Sequence, residues 1–381
     1  MRVAIMMKIT RRTVLRGSAA VAASALAAPV VLRAHDALAS SGTVNVFAWG
    51  DYVQPNMVEK FQKESGITVN LSTFGSNDEA VQKLRAAGGK GFDVIFPSVT
   101  NGPQYYPDDL LQPLDESKVK MDRIIPSMVR DSVQLGATYR GKRMLLPFDW
   151  GTEAMTFDSS VFKLSDDDIS FGNMWTPEAK GKAAFRQKSV LVGTAIYLDA
   201  TGEVKSNRAL DLYKSEEDMR RVFEAVTKYI VARKGNIAAF WNNATEATNA
   251  FKQAGAAVGQ TWDTTGLLLN REDPKWKYRM PKEGGITWMD SIGIPTGAAN
   301  LEQAYAFINA MFDPKMAGMF SKNTGYNSAA VGAAAHAGDE YAKQFNEVYN
   351  EKTLANLWWW QADTPWFATV RQEYVDRITN A

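Results

Sequence analysis

The 381-residue chain has no cysteine, which excludes a disulfide framework, a thiolate nucleophile, a cysteine-based zinc site and a lipidated cysteine anchor. Histidine is nearly absent, with only His35 and His336. Apolar runs are short: the most membrane-like, residues 19–32, falls below the roughly 20 residues a bilayer span requires and contains Pro29. Neither charge sign dominates, with 43 basic and 42 acidic side chains, and 45% of residues are hydrophobic. That composition describes a globular protein of two domains.

The basic stretch Lys8, Arg11, Arg12 and Arg16 precedes residues 19–32, and the apolar segment ends near Ala37-Leu38-Ala39. This is the pattern of an export signal over residues 1–39, and Thr10-Arg-Arg-Thr-Val-Leu-Arg16 resembles the twin-arginine type. Cleavage would expose Ser40 and leave 37 basic against 41 acidic residues. A mildly acidic mature chain argues against nucleic acid, which needs concentrated Lys and Arg, and sets up no field against a cationic solute. The expected location is the periplasm, free of any tether.

Enzyme motifs are missing as well. A Ser-His-Asp hydrolase would have to use His336, in an Ala-rich segment, and no G-x-S-x-G elbow accompanies it. Gly88-Gly-Lys-Gly91 lacks the spacing and the Ser or Thr of a phosphate loop and reads as a helix-ending turn. Ser117-Lys-Val-Lys120 and Ser160-Val-Phe-Lys163 match S-x-x-K without the companion motifs. Asp166-Asp-Asp168 has Phe171 where a calcium loop needs Gly. No catalytic residue, metal or cofactor is expected, and a periplasmic hydrolase is a remote alternative.

What is present is alternation of strand and helix. Residues 44–49 read as a strand, 55–65 as a helix with Met57, Val58 and Phe61 on one face, 67–71 as a strand, 77–87 as a helix and 93–97 as a buried strand. Two short extended runs, 144–148 and 154–157, flank Gly151 and suggest a crossing into a second α/β domain with helices near 215–233 and 244–254 and a strand near 256–262. Residues 286–295 form an extended return, and the last ninety residues are helical, beginning with 301–312. The expected fold is α/β, with lobe 1 over 40–150 plus about 291–330 and lobe 2 over 151–290 plus about 331–381. Two crossings leave an interdomain cleft, a favoured place for ligands.

Aromatic residues are abundant, with 11 Trp and 13 Tyr, several just beyond strand ends: Trp49 and Tyr52 after the first strand, Trp262 after the 256 strand. Alternation along an extended segment points Trp288 and Asp290 to one side, so that a ring can stack on a ligand while a carboxylate pairs with its charge. Such an aromatic and acidic pair suits an ammonium group, worth about 0.5–2 kcal/mol per favourable ring contact. The plainer alternative is that the Trp residues fill cores and Asp290 caps a turn.

Four segments, Phe47-Ala-Trp-Gly-Asp-Tyr-Val53, Phe92-Asp-Val-Ile-Phe-Pro-Ser98, Trp175-Thr-Pro-Glu-Ala-Lys-Gly181 and Pro281-Lys-Glu-Gly-Gly-Ile-Thr-Trp-Met-Asp-Ser291, resemble the spermidine/putrescine-binding proteins of bacterial ABC importers. The similarity runs in order from about residue 44 to 365. It implies a two-lobed, type II-like periplasmic binding protein that closes on its ligand by hinge motion and docks on a permease driven by an ATPase in the inner membrane. Nothing demands more than a monomer. The resemblance places Trp49, Tyr52, Ser98, Trp262, Trp288 and Asp290 on the ligand, with Tyr326 of Thr324-Gly-Tyr-Asn327 and Gln361 of Trp360-Gln-Ala-Asp363.

The chain also departs from that family. Thr100 stands where the family has an aromatic residue, and the acids that hold distal amines fall near Arg186-Gln-Lys-Ser-Val-Leu191, which has none. Arg186 and Lys188 either lie on the surface or face the cleft; in the second case the expected ligand is a zwitterionic or quaternary amine, such as a γ-aminobutyrate-like ω-amino acid or a betaine, rather than a polyamine.

Overall fold

The computed structural model describes residues 42–362 and 364–381, so the export signal expected over residues 1–39 lies outside the described residues. Strand β1 (Gly42–Trp49) leads into helix α1 (Pro55–Ser65), which opens with Pro55 at its first position and closes at Gly66 with a left-handed φ of 72°. Strand β2 (Ile67–Phe74) follows, then α2 (Asn77–Ala86), whose Ser76 cap accepts from the Glu79 amide, and the short β3 (Val94–Ile95). Helix α3 (Pro126–Ser132) and a hairpin of β4 (Thr138–Tyr139) and β5 (Lys142–Arg143) precede β6 (Leu145–Asp158).

The second half alternates in the same way. It runs through β7 (Ala183–Arg186), α4 (Gln187–Ala200), α5 (Glu216–Ala232), β8 (Ile237–Trp241), α6 (Ala244–Lys252) and β9 (Val258–Trp262). Helix α7 (Asp263–Glu272), β10 (Trp276–Arg279) and the returning strand β11 (Ile286–Gly293) come next. The chain ends with α8 (Leu301–Met311), α9 (Pro314–Thr324), β12 (Asn327–Ser328), α10 (Asp339–Val348), α11 (Glu351–Ala355), β13 (Trp358–Trp359) and α12 (Pro365–Thr379). No helix among the described residues is long and apolar enough to cross a membrane.

Strands follow the order β2-β1-β3-β11-β6-β9-β7-β8. Three parallel strands, β2-β1-β3, meet β11 antiparallel, and three more, β8-β7-β9, meet β6 antiparallel. The two crossing strands pair antiparallel with each other, which joins the halves into an α/β, two-lobed molecule. One core gathers Phe47, Phe96, Phe148 and Phe307 around β1–β3, α1, α8 and α9; a second gathers Phe157, Phe185, Phe223 and Phe367 around β7, α4, α5 and α12. Strand β6 passes from one to the other between Ala154 and Met155.

The two short runs expected on either side of Gly151 are one continuous strand of 14 residues, buried throughout. Gly151 does not break it because it faces Trp288 across the β6–β11 pair, and a Cβ there would come within 2.3 Å of the indole Cζ2. Glycine within a strand marks close approach of another group, here the ring.

Asp93, only 1% exposed, sews the first lobe together ahead of β3. Its Oδ2 accepts from the Asn45 amide (2.8 Å), Asn45 Nδ2 (2.9 Å) and Asn300 Nδ2 (3.0 Å), and its Oδ1 from the Ala299 and Asn300 amides (2.9 and 3.0 Å) at the start of α8.

Two stability outcomes are expected in urea titrations. Asp93→Ala should lose about 3 kcal/mol, because buried donors lose a charged acceptor. Gly151→Ala should lose about 1–3 kcal/mol through overpacking, most of it recovered when Trp288→Ala is added, so that the double-mutant cycle shows strong coupling; additive losses would mean that the ring does not rest on Gly151.

Candidate ligand-binding site

Where β6 and β11 cross between the two cores, the described residues line a cleft of about 800 Å³. All eleven residues nominated from sequence line it: Trp49, Tyr52, Ser98, Thr100, Arg186, Lys188, Trp262, Trp288, Asp290, Tyr326 and Gln361. Local chemistry explains how each is held. Trp49 ends β1, and the turn after it, with the Tyr52 amide donating to the Trp49 carbonyl at 3.2 Å, turns the Tyr52 side chain back into the fold. Ser98 is pinned reciprocally by Asn77 at the start of α2, its amide donating to Asn77 Oδ1 and its hydroxyl accepting from Asn77 Nδ2, both at 3.0 Å. The next segment of backbone is fastened by Ser291, whose amide and hydroxyl both donate to the Pro97 carbonyl (2.9 and 2.7 Å).

Trp288 and Asp290 sit two residues apart on β11, and both reach the cleft, as strand alternation requires. The Trp288 ring, seated on Gly151, meets Tyr326 edge-on at 5.5 Å; Tyr326 in turn lies edge-on to Tyr52 at 6.2 Å, and Tyr52 lies 6.4 Å from Trp49. Four aromatic rings thus stand in a chain around Asp290, whose Oδ2 accepts from the Tyr52 hydroxyl at 2.6 Å.

Burial governs the electrostatics at this end. Desolvation pushes the Asp290 carboxyl up to about 6, with Ser98 and Tyr52 pulling the other way. Asp263, at the start of α7, is also pushed to about 6 by burial, although it accepts from the Tyr349 hydroxyl (2.9 Å), Asn327 Nδ2 (3.0 Å) and the Thr152 and Thr264 amides (3.1 and 2.8 Å). Behind Asp290, its cross-strand neighbour Asp149 is fully buried, and desolvation followed by the Asp290 charge raises it well above the usual carboxylate range. Asp51 and Asp78 complete an acidic wall.

The opposite wall is basic. Arg186, the residue before α4, pairs with the wholly buried Glu153 of β6 and stacks 4.6 Å from the centre of the Trp262 ring, which itself meets Trp241 edge-on at 5.0 Å. Lys188 Nζ lies 5.4 Å from the Trp360 ring, and the Arg371 guanidinium from α12 lies 6.0 Å from the same ring. The N-terminus of α4 has neither a side-chain cap nor an acidic residue in its first turn. Gln361 donates from Nε2 to the Trp359 carbonyl at 2.8 Å, and Thr100 supplies a small side chain to the rim.

Sequence reasoning missed Asp51, Asp78, Asp149, Glu153, Asp263, Trp360 and Arg371. A single acid inside the apolar run Leu145-Leu-Pro-Phe-Asp-Trp150 signals a buried titratable group, and Asp149 could have been found that way; Arg371 comes from a surface-patterned helix and carries no such signal. His336 is exposed at the end of a short helical turn and is not among the residues that line the cleft, and Gly88, Gly89 and Gly91 occupy a turn with positive φ ahead of β3.

A family model described as bacterial extracellular solute-binding protein matches residues 56–346. The spermidine/putrescine-binding periplasmic protein of Escherichia coli K12 is 25% identical over 341 residues, 89% of this chain and 92% of that one. A spermidine/putrescine-binding periplasmic protein 1 from Haemophilus influenzae is 27% identical over 301 residues, 77% of each chain. Among solved structures, the substrate-binding protein PotD of a Streptococcus pneumoniae spermidine/putrescine ABC transporter superposes with a TM-score of 0.72 at 23% identity, covering 89% of this chain and 99% of its own. The Atu4243-GABA receptor gives 0.63 at 20%, covering 88% and 96%. With its paired crossing strands, its cleft between two cores and a family match over most of its length, the chain belongs to the bacterial extracellular solute-binding proteins.

Proposed function

We propose that this protein is the periplasmic binding component of an ABC importer of the spermidine/putrescine type, capturing a small amine-bearing solute and handing it to a permease and its ATPase in the inner membrane. The observation that carries the reading is the buried Asp290 carboxylate ringed by Trp49, Tyr52, Trp288 and Tyr326 in a cleft between two cores. A carboxylate supplies the charge-assisted hydrogen bond for an ammonium group, and the ring faces supply the cation–π attraction. Ligand residues are Trp49, Tyr52, Ser98, Thr100, Trp262, Trp288, Asp290, Tyr326 and Gln361, with Arg186 and Lys188 on the far wall. Export by the twin-arginine machinery follows from residues 10–16, and the protein acts as a monomer without catalysis.

The lobes are 40–150 with about 291–330, and 151–290 with about 331–381.

A second reading of the ligand is favoured by Arg186, Lys188 and Arg371 lining one wall beside the uncapped start of α4. There the solute carries an anionic group opposite its amine, as an ω-amino acid of the γ-aminobutyrate type does.

A thermal-shift panel of residues 40–381 with putrescine, spermidine, γ-aminobutyrate and glycine betaine separates the two. At 100 times its dissociation constant a true ligand adds about 2.7 kcal/mol, enough to raise the melting point by a few degrees. Asp290→Asn should weaken amine binding by about 2–5 kcal/mol in calorimetry, and Trp288→Ala should cost more than Trp288→Phe. No shift with any amine, or unchanged affinity in a folded Asp290→Asn variant, would remove the amine reading.

A further inference from the structure

Asp149 and Asp290 are register partners across the antiparallel β6–β11 pair, at the bulge that falls between Asp290 and Ser291, so their side chains share one face of the sheet as close neighbours. Asp149 is 0% exposed and Asp290 only 7%. Neither oxygen of Asp149 has a hydrogen-bond partner. The Tyr52 hydroxyl lies near enough to bear on both carboxylates, but it has a single proton and gives it to Asp290 Oδ2. The contrast with Asp263 is direct: that carboxylate is equally buried yet accepts from two amides, one side-chain amide and one hydroxyl.

The titratable groups that bear on Asp149 come from every element around it. They are Asp290 on β11, Tyr52 and Asp51 in the turn after β1, and Asp263 at the start of α7, with Ser328 of β12 opposite it in register. Tyr326, ahead of β12, stands close enough for Asp149 to act on its own ionisation. These are acids, phenols and a hydroxyl, none of which can balance a second negative charge. Two desolvated carboxylates on adjacent strands do not both ionise without a cation beside them.

We propose that Asp149 and Asp290 hold one proton between them in the ligand-free protein, and that an ammonium group docking at Asp290 expels this proton to solvent, which makes Asp149 a hidden second carboxylate of the amine subsite. The inference rests on the reading that the solute bears an amine. The charge balance is simple: the pair goes from one negative charge to two as one positive charge enters, and the proton leaves to water. A subsite of this kind favours a protonated amine over a neutral isostere, because a neutral head group cannot drive off the proton.

The sign of the pH dependence follows. A solute ammonium stays protonated below about pH 10, so the groups that titrate at the acidic end between pH 5.5 and 8 are the carboxylate pair and Asp263, and the Asp149→Asn comparison isolates the pair's share. Affinity rises with pH while the free protein still holds the proton, by up to tenfold per pH unit for one proton released, and flattens once the free pair has ionised. Without ligand the linkage runs the other way. The folded pair binds its proton more tightly than an unfolded aspartate does, so this part of the stability is present at low pH and is lost as pH climbs through the folded pair's range.

Calorimetry at pH 7 with whichever of putrescine, spermidine and γ-aminobutyrate binds, in phosphate and in Tris, reads proton release from the difference in apparent enthalpy. The wild type should release up to one proton per ligand. Asp149→Asn, which keeps the shape and removes the ionisable group, should release close to none and show a flatter affinity profile from pH 5.5 to 8. Wild-type binding with no proton release, or the same release from Asp149→Asn, overturns the proposal. Melting temperature against pH without ligand tests the pair independently: Asp149→Asn, or Asp149→Leu should the amide fold poorly, should gain on the wild type between pH 5 and pH 8. If no amine binds, the solute reading falls and this profile still decides the pair; parallel profiles would remove the shared proton.

Discussion

The antiparallel pairing of β6 with β11 is the constraint on which the rest of the molecule depends. Each strand runs antiparallel beside a set of three parallel strands in one half and pairs with the crossing strand from the other, so the register of one ladder sets the relative placement of both halves. Every residue of β6 is buried because it has protein on both faces, first in one core and then in the next. A slip of one residue would turn Trp288 and Asp290 away from the cleft and put their neighbours there.

The proposed ligand site uses that ladder directly. Gly151 makes room for the Trp288 ring, and Asp149 lies opposite Asp290; both are consequences of the same register. The aromatic residues around Asp290 arrive from distant points in the sequence, Trp49 and Tyr52 from the first strand and its turn, Tyr326 from the bend before β12. Their edge-on contacts are the arrangement that opposed ring edges and faces prefer, so the pocket wall is also a packed layer.

The two ends of the cleft differ in sign for different reasons. At the acidic end burial outruns hydrogen bonding, and the carboxyls of Asp149, Asp263 and Asp290 are all raised. At the basic end Arg186 is already clamped between the Glu153 carboxylate and the Trp262 face, so it is a fixed part of the wall whose charge is shared with its partner. Lys188 and Arg371 gather around Trp360 instead, at the mouth of the uncapped α4 helix. On the proposed reading a short amine would fill one end alone, and a solute with charge at both ends would have to match this asymmetry.

How much was legible in the sequence depended on the range of the interaction that carried each feature. Helix α1, with its proline start and glycine stop, the caps at Ser76 and Ser215, and the strands of alternating or wholly apolar pattern are written in residues a few positions apart, and the α/β alternation follows from them. The placing of Trp288 and Asp290 on one side is also local, since strand geometry alone requires it. The merging of the two runs around Gly151 into one strand, the pairing of Asp149 with Asp290, and the gathering of Glu153 under Arg186 and of Arg371 beside Lys188 are set by strand register and helix packing between segments more than thirty residues apart. Periodicity reports which face of an element is buried; only the tertiary structure decides which other face it is buried against, and the ionisation of a carboxylate depends on that second fact.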